Sequence, residues 1–381
     1  MRSKTAQSAP HPDALAKEVL HLSRLLTRDR DDLPPAYLGD PGLRNAYLHY
    51  YLPSNLAKIH LPLRELARHP GGLPGRERLR VLDLGAGPGT AVLGILEFFG
   101  AEKHRPVLEC TAVDHVPENL LIAGELFGEL SLTYRGKADL RTVKRRIDAK
   151  MDECEGTYDL IIFSNVLNEL FSEDEDRIVR RVATAGSVLE RLLAPDGACI
   201  VIEPALRNTA REMLLVRDGL IDRGMTVYSP CLMQEQCPAL ANPKDWCHED
   251  IPWNPPDLVR EIDRLTGLRK DSLKFSYVVL RKDGRTLADR CGSGAFRVVS
   301  EQLRSKGKTE LYLCGKGGRK MAMRQDKDRS ASNAVFGELK RGSVARFGAL
   351  ASDEKRYRVV KDTTAAVVSL PGGSAANEGR S

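Results

Sequence analysis

Residues 81–91 read Val-Leu-Asp-Leu-Gly-Ala-Gly-Pro-Gly-Thr-Ala, and this stretch decides the fold. A short apolar run ends at Asp83-Leu84, Gly85, Gly87 and Gly89 turn the chain, and TAVLGILEFFG continues as a helix. Such glycines permit positive φ and let the backbone pass close to a ligand. The N-terminus of the following helix offers free N–H groups and a partial positive charge. Outward from this turn, strand and helix alternate. VLECTAVDH, SLTYRGKAD, YDLIIFSNVL and GACIVIEPA read as strands, and helices beginning at Pro117, in the acidic run at 173–176 and near Thr209 separate them. The alternation predicts a doubly wound, Rossmann-like α/β domain over 76–285, a parallel sheet with helices on both faces. MTVYSP and LKFSYVVLRKD add two more strands, with a Cys-rich insert at 229–268 between them.

Upstream, 13–75 reads as a helical N-terminal region in which Pro53 and Pro62 divide a long stretch into short pieces. Downstream, 286–346 reads as a small basic β extension with three short strands, and 347–381 loses periodicity and is expected to be a flexible tail, as is 1–12. The chain has 381 residues, 42% hydrophobic, so an ordinary core can form. No window approaches a membrane span, and the first dozen residues carry no apolar signal segment. Eight Cys in such a chain point to metal binding or buried thiols rather than disulfides.

The G-x-G-x-G spacing, with an acid inside the strand end, resembles motif I of class I S-adenosylmethionine-dependent methyltransferases more than a dinucleotide fingerprint. The resemblance implies that Asp83 faces the methionine ammonium of S-adenosylmethionine. Asp114, 25 residues after Gly89, is placed to bind both ribose hydroxyls, and Asp139 to reach the adenine amine. Gly85, Gly87, Gly89 and Asn165 complete the candidate cofactor set. Ordinary turn glycines and strand-end acids would leave the same pattern without a ligand. The segment after the fourth strand is Ser164-Asn165-Val166-Leu167, with neither prolines nor an aromatic, so no base-binding catalytic motif is recognisable and the catalytic residues stay unassigned. Asn168-Glu169 could position a substrate or simply open the next helix, with Ser172 as its cap.

Cys231, Cys237 and Cys247 fall within 17 residues of a polar, Pro-rich loop, and Cys314 lies in the basic extension. Four thiolates from a loop and a distant strand can hold Zn²⁺ or a [4Fe–4S] cluster. The x5 and x9 spacings do not suit paired CxxC knuckles and tilt towards a cluster; four unrelated thiols is the bland alternative.

YLPSNLAKIHLPL, VLDLGAGPGTA, IIFSNVLNEL, YSPC, DWCH, FSYVVLRK and LYLCGKGG, in that order, resemble the methyltransferase-like proteins of the mitochondrial small ribosomal subunit and their bacterial relatives, over roughly residues 45–345. The resemblance implies a class I methyltransferase fold, an S-adenosylmethionine site, a role in assembly of the small subunit and translation, and a [4Fe–4S] cluster on Cys231, Cys237, Cys247 and Cys314. Where relatives read Pro-Cys-Pro-His, this chain has Pro230-Cys231-Leu232-Met233. Residues 297–346 hold 13 Lys+Arg against 5 Asp+Glu, a net of +8 that exceeds the +6 of the whole chain. Lys306, Lys308, Lys316, Arg319, Lys320 and Arg324 are the candidate RNA contacts. The expectation is a monomer in the bacterial cytoplasm, or alternatively the mitochondrial matrix, that binds small-subunit rRNA. An active methyltransferase on RNA or protein, and a purely structural ribosomal protein with an empty cofactor site, are the rivals.

Overall fold

The computed structural model describes residues 11–29, 32–34, 37–69, 73–353 and 356–370. Helix α1 (Pro12–Thr27) repeats apolar residues at helical spacing and buries Leu15, Val19 and Leu22. Helices α2 (Pro41–Ala46), α3 (Leu52–Lys58) and α4 (His60–Leu66) follow, with a π-helical turn at Tyr47–Tyr51. The stretch is divided into short pieces, and Pro53 and Pro62 each sit in the first turn of one of them, where no intrahelical N–H is needed.

The first sheet is built from β1 (Arg78–Leu84), β2 (Val107–Asp114), β3 (Ala138–Lys144), β4 (Tyr158–Ser164), β5 (Leu193–Pro204), β6 (Thr226–Ser229), β7 (Glu249–Pro252) and β8 (Ser272–Arg281). Helices α5 (Thr90–Ala101), α6 (Pro117–Ser131), α7 (Arg177–Leu192) and α8 (Arg207–Asp222) connect the strands, and α9 (Asp257–Thr266) precedes β8. The order is β3-β2-β1-β4-β5-β8-β6, with β7 paired to β8. Strands β1 to β5 are mutually parallel and β8 runs antiparallel to its neighbours. This is the α/β, Rossmann-like arrangement of a methyltransferase fold. The order reverses between β1 and β4, and the carboxyl ends of strands at such a switch point are where sheets of this kind bind ligands.

Four expectations change. The third strand begins at Ala138, where the sequence reading ended it, because residues 132–137 only return from α6. The acids at 173–176 form a turn ahead of α7 rather than its first turn, and Ser172 caps no helix. The insert, weak in periodicity, still contains β7 and α9, whose Val259 and Ile262 are buried. The basic extension continues well past residue 346. Its strands are β9 (Ala295–Val298), β10 (Leu303–Ser305), β11 (Lys308–Gly315), β12 (Gly318–Gln325), β13 (Val344–Gly348), β14 (Ala351–Ser352), β15 (Arg356–Arg358) and β16 (Thr364–Ser369), all in one sheet. The late strands are short and interrupted, so they leave little alternating pattern. The tails expected at 1–10 and 371–381 lie outside the described residues.

The extension has its own core, with Val298, Leu311, Leu313, Ala322, Phe336 and Val359 almost fully buried. A buried ionic group joins it to the rest. Arg297 of β9 donates to Glu65 of α4 (2.5 Å), Glu249 of β7 (3.1 Å) and the Tyr277 hydroxyl of β8 (2.9 Å).

Candidate functional site

The glycine turn has the conformation its sequence predicts. Gly85, Gly87 and Gly89 all have positive φ. At Gly85 the need is also steric, since a Cβ there would overlap the Val166 side chain. The Gly85 and Ala86 N–H groups both donate to the Val113 carbonyl at 2.9 Å, which ties the turn to β2. Asp114, at the end of β2, accepts from Gly87 N (2.9 Å) and Val116 N (2.8 Å). It therefore builds the turn. A carboxylate has about four acceptor positions, so two remain for a ligand.

Asp83 is fully buried, and among the described residues neither of its oxygens has a hydrogen-bond partner. Burial pushes its pKa up to about 7; the nearby Val92 amide opposes this and the Asp114 charge adds to it. A buried carboxylate without a donor carries a large desolvation cost, and an incoming cation would remove it.

Asp139 does not reach the carboxyl end of the sheet. It is the second residue of β3, paired with Glu109, whereas Asp114 is level with Lys144. Five residues of parallel strand separate Asp139 from that level, about 16 Å, and its exposed carboxylate faces Lys137 at 3.6 Å. The early start predicted for the third strand produced the error. Asn165 does lie at the end of β4, in a left-handed conformation (φ 56°), with its N–H on the Ile202 carbonyl at 2.8 Å.

Next to it is a polar group of which the sequence offered only Asn168. Asn168 donates from its side chain (2.5 Å) and its backbone (3.3 Å) to Glu203, the buried penultimate residue of β5. Burial pushes Glu203 up to about 8, against the two Asn168 bonds. Lys58 of α3 is also buried. Its ammonium bonds Asn55 at 2.7 Å, and its pKa is lowered to about 7 by burial and the Lys270 charge, with Glu203 opposing. Tyr47 joins this group to the glycine turn, its hydroxyl lying 3.0 Å from Thr90 Oγ1 and 3.5 Å from Asn55 Nδ2. A lysine and a proline-flanked glutamate in separate elements carry no common sequence signature; only the fold brings them together.

The thiols converge as well. Burial raises the pKa of Cys237 to about 12, with the Cys231 charge adding to it. Burial also raises Cys247 and Cys314, each with Cys231 as a further cause, so the four groups lie within one another's field. Cys231 and Cys247 line a cavity of about 10 Å³ together with Met213, Leu214, Arg217 and His248, room for about one water. Among the described residues, no group of three or more His, Cys, Asp or Glu side chains is close enough to hold a metal ion. The assembled four-ligand shell expected from the sequence is thus not formed. Arg217 Nε, Arg319 Nε, Trp246 Nε1 and His248 Nδ1, in and around this cluster, are buried without hydrogen-bond partners among the described residues.

The candidate RNA cations divide. Lys306 and Lys316 are exposed. Lys308 pairs with Glu310 (2.8 Å), Arg319 with Asp245 (3.7 Å), and Lys320 donates to the Asp353 carbonyl (3.1 Å). Arg324 is not a surface cation: it points into the core of the extension, donates to the Asn333 carbonyl at 2.7 Å and lies over Phe336, because Ala322 and Arg324 share the inward face of β12.

A family model described as mitochondrial small ribosomal subunit Rsm22 matches residues 43–335. No curated protein sequence matches the chain. An rRNA methylase from Streptococcus thermophilus is 12% identical, with 60% of this chain and 96% of that one covered and a TM-score of 0.31. An O-methyltransferase family protein from Burkholderia thailandensis is 15% identical, with 74% of each chain covered and a TM-score of 0.38. TrmN from Thermus thermophilus is 17% identical, with 59% of this chain and 48% of that one covered and a TM-score of 0.33.

Proposed function

The chain belongs to the Rsm22 family of the mitochondrial small ribosomal subunit, and from that premise we propose that it binds S-adenosylmethionine and serves the small subunit through contact with its rRNA. The unpartnered carboxylate of Asp83 carries the cofactor reading. It lies beside the glycine turn, and the methionine ammonium supplies the charge and donors it lacks. Asp114 accepts from the ribose hydroxyls with its spare positions, and Asn165 faces the reactive end. S-adenosylmethionine supplies an electrophilic methyl group when bound. Calorimetric titration with S-adenosylmethionine tests this. Binding in the wild type and a loss of about 1.5–3 kcal/mol in Asp114→Ala are expected; no binding at millimolar ligand overturns it.

One observation favours the second reading, an active methyltransferase on RNA or protein. Glu203, at the carboxyl end of β5 and bonded by Asn168, is pushed up to about 8 by burial, and the buried Lys58 of α3, held by Asn55, is lowered to about 7 within the field of Glu203, as groups that exchange a proton would be. Transfer of labelled methyl groups to small-subunit precursors separates the readings.

The donor set of Cys231, Cys237, Cys247 and Cys314 fits a thiolate centre, [4Fe–4S] or Zn²⁺. Its support is the mutual field of the four sulfurs, with Arg217 and Arg319 beside them to offset negative charge. Closing the shell requires a local shift. A bound centre would staple the insert to the extension. Iron, sulfide and zinc analysis of anaerobically prepared protein tests it, and metal-free folded protein with four free thiols overturns it.

The partner reading rests on the family description and the basic extension, with Lys306 and Lys316 as its free cations. Reversing both to Glu should weaken co-sedimentation with the small subunit and flatten its salt dependence. The family description supports the mitochondrial matrix over the bacterial cytoplasm. Among the described residues, no helix is long and apolar enough to cross a membrane.

A further inference from the structure

The extension closes on itself. Strand β9 pairs antiparallel with both β11 and β13, and β11 pairs antiparallel with β12. Strand β12 pairs parallel with β15, and β16 returns antiparallel to β13. Only residues 359–363 separate β15 from β16, and Val359 N still donates to the Met323 carbonyl at 2.9 Å. The segment 356–369 therefore acts as one broken fifth strand between the third and the fourth. A short helix at Ala331–Gly337 connects those two. Five strands in the order 1-2-3-5-4-1, with the third and fifth parallel, make the OB barrel, in which the outer face of the second and third strands takes oligonucleotides.

Side chains on that face follow from the alternation. Leu311, Leu313, Ala322 and Tyr357 point inwards and are buried. Outwards, register aligns Tyr312 with Met321 and Arg356 in one row, and Glu310 with Met323 and Arg358 in the next. Leu303 of β10 extends the second row and is 51% exposed. Arg356 and Arg358 are exposed, while Tyr312, Met321 and Met323 are half-buried. Glu310 is neutralised by Lys308 at 2.8 Å.

We propose that this face is a docking surface for an unpaired RNA strand, with bases laid on Tyr312, Met321, Met323 and Leu303 and phosphates on Arg356 and Arg358. The inference rests on the rRNA reading above and names the form of RNA and the face. Apolar and aromatic side chains flanked by arginines match nucleotides whose π faces are free, and a duplex hides those faces and presents phosphate and 2′-hydroxyl groups. The basic excess of the module favours RNA over an apolar protein segment. Neither arginine was singled out from the sequence, because both lie in the stretch that lost periodicity. The upper end of the face is closed by the insert. Cys314 and Arg319 continue the outward rows there, and Arg319 lies over the Tyr312 ring at 5.0 Å and reaches Asp245 at 3.7 Å.

The test is fluorescence anisotropy with the full chain and a labelled 12-nucleotide RNA, single-stranded and as a duplex, over a range of salt. The single strand should bind at least tenfold more tightly. Arg356→Glu with Arg358→Glu, and separately Tyr312→Ala or Leu303→Ala, should each weaken it about tenfold or more, and Tyr312→Phe should retain it. Leu303 and both arginines are exposed, so those variants fold. No RNA binding by the wild type, in either form or as the subunit, overturns the rRNA reading itself. Equal or tighter duplex binding that these variants leave intact, while reversal of Lys306 and Lys316 weakens it, keeps that reading and overturns this one. Variants that bind free RNA normally but fail to join the small subunit assign the face to a protein instead.

Discussion

Asp83 is the residue at which stability and binding pull in opposite directions. Its folded pKa of about 7 lies above the ordinary value of 3.8. Between those values the unfolded chain has lost the proton that the folded chain keeps. Stability therefore falls as pH rises through that window, and the loss is complete above about 7. A bound ammonium reverses the preference and favours the carboxylate, so binding below pH 7 must release a proton. Affinity for S-adenosylmethionine is expected to rise with pH up to about 7 and then level. Calorimetry in buffers of different ionisation enthalpy counts the proton, and Asp83→Asn should bind weakly with no such slope. Gly85 is constrained differently. Gly85→Ala adds both positive-φ strain and overlap with Val166, and should cost about 1–3 kcal/mol from the backbone alone. Adding Val166→Ala should return the steric part only, read as a partial recovery of the thermal midpoint.

At the scale of elements, one side chain ties the loop after β4 to the two helices beside it. Arg181 of α7 is 1% exposed and donates to the Leu170 carbonyl (2.8 Å), the Asn168 carbonyl (2.8 Å) and Glu212 of α8 (2.6 Å). Glu212 keeps Arg177 at 2.9 Å, so Arg181→Met should cost about 3 kcal/mol, the low end for breaking a buried ion pair, in urea denaturation. The β4 loop was legible in sequence only as a position, since the arginine that fixes it lies on a helix 11 residues downstream of Leu170. Strands with an apolar run and a helix with strict spacing announced themselves: β1, β2, β4, β5 and β8, and α1, α5, α6 and α8. β3 did not, because its outward residues are polar and exposed and only Val143 is buried. That one slip carried Asp139 to the wrong end of the sheet. Arg324 was misplaced for a related reason: a cation in an alternating strand reads as outward until the register shows which parity faces the barrel. Lys58 and Glu203 had no local signal at all, since their chemistry comes from burial that only the folded chain creates.

At the scale of the whole molecule, a buried charged rivet joins the two sheets. Arg297 belongs to the barrel, Glu65 to the N-terminal helices, and Glu249 and Tyr277 to the first sheet, and all four are buried. Burial raises Glu65, but the Arg297 charge and the bonds from Tyr277 and Arg297 more than offset it, so its carboxyl lies below the ordinary range. Burial also raises Glu249, and its nearness to Glu65 opposes the help it receives from Arg297. Arg297 thus holds two like charges together. Arg297→Met keeps the volume but leaves both carboxylates without a cation, which should cost about 3–5 kcal/mol. The cost has a pH signature with a definite sign. Without the guanidinium both carboxyls rise in pKa, so the variant's deficit is largest at pH 8 and shrinks as acid protonates them. The damage also has a location. Because the barrel has its own apolar core, losing the rivet should uncouple the two sheets rather than unfold either. The wild type is expected to melt in one transition and Arg297→Met in two, with hydrogen exchange rising first along β9 and β7 while β1 and β4 stay protected. A single transition in the variant, or a deficit independent of pH, would mean that the other contacts, among them Arg319 with Asp245 and Arg341 with the His248 carbonyl, are enough to join the barrel to the first sheet.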